Sequence, residues 1–110
     1  MHLVKKEKHI GKVNSMNLFL VHTGFYDENN SDGFYEQHSN ILVVANNVFE
    51  AKENVKKNNH FIDKNMHIDG IKQINVIDGY RIKPIKTNSK QKKHIDTFTH
   101  RQVQLLKPIQ

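Results

Sequence analysis

A five-residue aliphatic run, Ile41-Leu42-Val43-Val44-Ala45, is followed within two residues by Asn47 and then Glu50, the pattern of a strand that turns directly into a capped helix. The β-branched density from about residue 37 to 45 argues a central strand buried on both faces. The Asn47 side-chain oxygen can take a free amide of the first helical turn. Val48, Ala51 and Val55 then fall at i, i+3 and i+7, opposite Lys52, Lys56 and Lys57, so one stripe packs on a core and the other meets water. Asn58-Asn59 ends the helix.

Strands are expected on either side of this unit. Asn17 to His22 is a compact apolar run closed by Thr23-Gly24, and residues 24–35 read as a turn-rich loop whose Phe25, Tyr26, Phe34 and Tyr35 are expected to cover one end of the core rather than to line a pocket. Ile71, Ile74, Val76 and Ile77 form a third strand. Asp78-Gly79 suits the positive φ angles of a tight hairpin, and Tyr80 to Lys83 return until Pro84, which cannot donate to a ladder. The order strand, strand, helix, strand, strand predicts an α+β fold: an antiparallel sheet of about four strands with one helix packed on a face. The other face is left for solvent, the aromatic loop, the C-terminal segment or a second subunit.

At 110 residues the chain is expected to form one domain, and it has no cysteine for a disulfide, a thiolate metal site or a thiol nucleophile. No apolar run approaches the roughly 20 residues of a membrane span, and no signal-peptide pattern follows the charged N-terminus, so a soluble cytoplasmic protein without membrane contact is expected. The net charge of +6 is terminal: residues 1–15 carry four lysines and one acid, 16–81 six bases and nine acids, and 82–110 seven bases and one acid. This divides the chain into a basic N-terminal extension (1–15), an α+β domain (16–85), and a basic linker with a short C-terminal segment (86–110) in which Asp96 to Leu106 is expected to form a docking helix capped by Asp96 in preference to an extra strand. Lys5, Lys6, Lys8, Lys12, Lys90, Lys92, Lys93 and Arg101 could neutralise phosphates or meet an acidic protein, but aromatic residues are scarce among them. Solvated ends are the plainer account.

Glu36-Gln37-His38 and His67-Ile68-Asp69 each place two polar groups on one face of an extended chain. Glu36, His38, His67 and Asp69 are therefore the candidate site, with Tyr26 and Tyr80 as further candidate binding residues. Imidazole and carboxylate suit a transition metal such as zinc, iron, nickel or manganese, and a histidine beside a carboxylate suits proton transfer. The plainer account makes the four groups polar fasteners that hydrogen-bond across strand ends, with no cofactor. No nucleophile elbow and no glycine-rich phosphate loop occurs.

Asn17 to Val21, Gly24-Phe25-Tyr26-Asp27, Glu36-Gln37-His38, Val43-Val44-Ala45, Glu50-Ala51-Lys52, His67-Ile68-Asp69 and Asp78-Gly79-Tyr80 together resemble the small bacterial family catalogued as domain of unknown function 1543, over about residues 16–82. Members often carry the unit twice, whereas this chain has it once. Where the family tends to have two glycines before the tyrosine, Gly24-Phe25 stands here. The resemblance implies no activity, but Glu36, His38, His67 and Asp69 fall on the polar positions of the family pattern.

The resulting expectation is a small non-enzymatic binding or assembly module, homodimeric through the uncovered sheet face or the edge strand ending at Pro84. Two other classes remain open: a metal-dependent enzyme built on Glu36, His38, His67 and Asp69, and a weak nucleic-acid binder using Lys90, Lys92, Lys93 and Arg101.

Overall fold

The structure, a computed structural model, describes residues 15–29 and 31–109. The basic N-terminal stretch up to residue 14 lies outside them.

Three strands, β1 (Asn17–Tyr26), β2 (Glu36–Ala45) and β3 (His67–Ile74), form an antiparallel sheet in the order β2-β1-β3. The α+β antiparallel architecture is the expected one, but its strands divide differently. The run read as a third strand breaks at Asn75: its first part is β3, and its second, β4 (Val76–Ile77), pairs with β5 (Tyr80–Arg81) in a separate two-stranded ribbon. Asp78 and Gly79 adopt φ of 53° and 83° between them, as expected of a tight hairpin turn.

The central strand is β1, and β2 lies at an edge. In β1, Phe19, Val21, Thr23 and Phe25 are buried, while residues of even number point to the open face. In β2 only alternate residues, ending at Ala45, turn inward, and Leu42 and Val44 stay 53% and 43% exposed. Composition suggested burial of β2 on both faces because aliphatic density does not reveal how many neighbours a strand has. Nor does β1 stop at Thr23-Gly24: it stays paired with β2 through Tyr26↔Glu36, so Phe25 is a buried strand residue rather than a loop anchor. Phe34 and Tyr35 are exposed and pack edge-to-face on each other, 4.9 Å between centroids, instead of covering the core.

One face is covered by α1 (Val48–Val55), whose Ala51 and Val55 are buried, with Ala51 packed near Phe19 and Ala45. Val48, the third residue of the expected stripe, remains exposed. Asn47 is the cap, its Oδ1 accepting from the Glu50 N–H at 2.8 Å, and Glu50 accepts in turn from the Asn46 N–H at 3.1 Å. Asn58, expected to stop the helix, caps a second one, α2 (Asn59–Asp63), by accepting from the Phe61 N–H. From that region His60 and Lys64 approach the Phe25 ring, and Lys64 Nζ lies 3.0 Å from Asp27 Oδ2. In the basic C-terminal segment the helix is α3 (His100–Gln104), capped by Thr99 in a reciprocal pair with Gln102 rather than by Asp96, which instead meets His94 at 3.0 Å. Val103, Leu105 and Leu106 are exposed, so the expected docking face is not buried.

Replacing Asn47 with Ala removes an N-cap oxygen and is expected to cost about 1 kcal/mol, read as a lower denaturant midpoint at unchanged m. Acid is expected to weaken the fold too. The Asn29 N–H and the Lys64 ammonium hold the Asp27 carboxyl below its ordinary 3.8, and hydrogen bonds from Asn46 hold Glu50 below its ordinary 4.5. A depressed folded value contributes stability that is complete above the unfolded value and is lost as pH falls through the folded one. Denaturation midpoints should therefore drop below about pH 4.5, and less steeply in Asp27→Asn.

Candidate functional site

The pairing of β1 with both neighbours determines where the polar residues meet. Gly24 lies opposite His38 of β2 and His67 of β3, so the two histidines flank a position without a side chain. Glu36, opposite Tyr26, shares the open face with His38 because two residues separate them. On β3 the register shifts: His22 pairs with Gly70 and Thr23 with Ile68, leaving Asp69 as the extra residue of a β-bulge. The bulge lets Ile68 and Ile71, three apart, both turn toward the core, while His67 and Asp69 stay on the open face. All four candidate groups thus project from one surface over Gly24.

Their distances define a ring. His67 Nε2 lies 2.7 Å from Glu36 Oε2 and 3.2 Å from Asp69 Oδ1. His38 Nε2 lies 3.5 Å from Glu36 Oε1, and His38 Nδ1 lies 3.4 Å from Asp69 Oδ2. Each carboxylate therefore divides its two oxygens between the two histidines. The four side chains are between 32% and 48% exposed, so the cluster is open to solvent.

Two further residues complete the site. His22 stacks on His38, with rings 5.0 Å apart and 10° from parallel, and its Nδ1 lies 2.9 Å from Asn40 Oδ1. The signal for His22 was present in the sequence: it lies two residues before Gly24 in the same strand, hence on the same face. Gly24 itself is a close-approach glycine. A Cβ there would stand 2.5 Å from Glu36 Oε2, 2.6 Å from His67 Nε2 and 2.9 Å from Asp69 Oδ2.

Among the described residues, two sets have ligand atoms within 4.8 Å of one another: Glu36, His67 and Asp69, and His22, His38 and Asp69. The other candidates lie elsewhere. Tyr26 borders the cluster at the end of β1, exposed on the same face, whereas Tyr80 belongs to the ribbon that follows the far end of β3. Lys90, Lys92, Lys93 and Arg101 are exposed along the C-terminal segment, where Lys93 and Ile95 help line a hollow against Ser39 to Leu42 of β2. No helix among the described residues is long and apolar enough to cross a membrane.

Gly24→Ala tests the arrangement. The atoms that an added methyl meets are ends of flexible side chains, so the domain is expected to fold with a near-native far-ultraviolet spectrum. The His38 and His67 ring resonances should shift as the cluster spreads, and unchanged resonances would contradict the close approach.

No curated protein and no solved structure matches the chain. The family described as Domain of Unknown Function (DUF1543) matches residues 33–83, a span that includes Glu36, His38, His67 and Asp69 but not His22 or Gly24. Over those residues, from the approach to β2 through the ribbon, the chain is similar to the DUF1543 family.

Proposed function

We propose that this domain binds a divalent transition-metal ion on the open face of its sheet, through Glu36, His67 and Asp69. The supporting observation is the spacing of the three donors. Atoms bound about 2.1 Å from a common ion stand about 3.0–3.4 Å apart in octahedral or tetrahedral geometry. His67 Nε2 already lies 2.7 and 3.2 Å from one oxygen of each carboxylate. With neutral imidazoles the two carboxylates bring two negative charges to one place, which a cation offsets. Their chemistry suits zinc, manganese, iron or nickel better than calcium, because imidazole nitrogen is a poor calcium ligand. Three protein ligands leave a zinc-type ion an open position, the pattern of catalytic rather than closed structural sites, and such an ion supplies Lewis acidity. The metal-dependent enzyme therefore rests on this same ion.

Titration of tag-free, chelator-stripped protein with zinc or cobalt is expected to show saturable binding. Glu36→Gln and His67→Ala should each weaken it by more than the roughly 10–100-fold typical of losing an outer-shell partner. Because metal ligands bind in their deprotonated forms, acid should weaken the binding. Wild-type protein without saturable binding would leave the four groups as hydrogen-bonded fasteners.

A second reading concerns assembly and rests on the other half of the same face. Leu42 and Val44, exposed, adjoin Leu18, Leu20 and Ile74 on the even-numbered side of the sheet, away from the polar cluster. We infer that a second copy covers this apolar half, making the module a homodimer. Light scattering after size exclusion is expected to give twice the chain mass, and Leu42→Lys to return it to one; a monomeric wild type at high concentration would contradict this.

A further inference from the structure

The site has two halves, and only one is used by a single ion at Glu36, His67 and Asp69. His38 and His22 stand on the other side of Asp69, and a nitrogen of each comes within 4.8 Å of an Asp69 oxygen and of the other. We propose that the cluster is a two-metal centre in which Asp69 bridges, with the second divalent ion held by His22, His38 and Asp69. This rests on the first ion proposed above and extends it to a residue outside the matched family span, His22.

Three features carry the inference. The Asp69 carboxylate is already turned for bridging: Oδ1 is directed at His67, 3.2 Å away, and Oδ2 at His38, 3.4 Å away. One carboxylate whose oxygens face different imidazoles can bind two ions at once, and two-metal sites hold their ions about 3.5–4 Å apart. The bulge matters here, because as the unpaired extra residue Asp69 stands opposite the central strand between the His22 and Thr23 positions.

His22 is also oriented as a ligand. Asn40 Oδ1 can only accept, so the His22 Nδ1 at 2.9 Å carries the proton and donates it. Nε2 then keeps its lone pair. An outer-shell acceptor that sets the tautomer of an imidazole is the usual companion of a metal-binding histidine. The parallel stack of His22 on His38 holds the two rings side by side.

Access is open as well. A hollow of about 470 Å³, lined by Leu20, His22, Asn40, Asp69, Gly70 and Lys72, adjoins this half of the cluster, so an ion need not displace core side chains to enter.

The deciding experiment measures metal stoichiometry on the full chain, free of any histidine tag and stripped with chelator, after equilibration with excess manganese or zinc and removal of free ion. The wild type is expected to retain two ions per chain and His22→Ala one, with the affinity of the remaining ion changed by less than about threefold. Manganese-loaded wild type should give an electron paramagnetic resonance spectrum of exchange-coupled ions, reduced to an isolated-ion spectrum in His22→Ala. If the wild type retains one ion, lost in His67→Ala but not in His22→Ala, the single-metal reading stands and the two-metal centre is overturned. Retention of two ions in His22→Ala, or two uncoupled ions in the wild type, would place the second at another surface histidine such as His94 beside Asp96 and would equally overturn it. No retained ion would remove both readings.

Discussion

Antiparallel pairing of β1 on both edges is the constraint on which the rest of the structure depends. It buries Phe19, Val21 and Thr23 on one side, with Phe19 packed near Ala51 of α1, and on the other it fixes which residues of β2 and β3 stand opposite one another. The buried Thr23 hydroxyl is satisfied by donating to the Ser39 carbonyl at 3.1 Å, which keeps a polar group in the core without an unmet hydrogen bond. With that register in place, His38 and His67 stand across Gly24, and a shift of one residue in either pair would send one of them to the core face.

Two local departures from regular sheet structure turn this register into a cluster. Gly24 offers no side chain where Glu36, His67 and Asp69 converge, so the central strand serves as the floor of the site. The bulge at Asp69 compensates for the spacing of Ile68 and Ile71, which a regular strand could not turn to the same face. A core requirement and a surface requirement thus meet at one extra residue. Bulges near functional sites commonly re-aim a side chain in this way.

Much of the local structure was legible in the chain. Asn47 with Glu50 announced the start of α1, Asp78-Gly79 the hairpin, and the two-residue spacing of Glu36 with His38 their shared face, because each depends on neighbours a few residues away. What escaped depends on long-range pairing. Gly24 read as a strand end because glycine is a common breaker, yet in β1 it is held by partners on both sides. β2 read as central because its composition is aliphatic, but which strand lies between the other two is decided by connections that composition does not encode. The meeting of the two pairs across β1, and the entry of His22, followed only once strand order was known. The bulge was hidden for the same reason: a spacing of three between Ile68 and Ile71 fits a loop, a helix or a bulged strand.

The two halves of the open face suit different tasks, and this ties the proposals together. Near Gly24 the surface is polar and charged, with histidines and carboxylates close together; near Ala45 and Ile74 it is aliphatic. A dimer formed through the aliphatic half would leave the cluster at its margin. The central claim is that Glu36, His67 and Asp69 share a metal ion, and it is tested most directly by anomalous scattering at the metal edge from crystals of zinc-loaded protein. The account predicts a peak about 2.0–2.2 Å from Glu36 Oε2, His67 Nε2 and Asp69 Oδ1. Absence of any peak there, with His67 still hydrogen-bonded to Glu36 and zinc bound elsewhere or not at all, would contradict it.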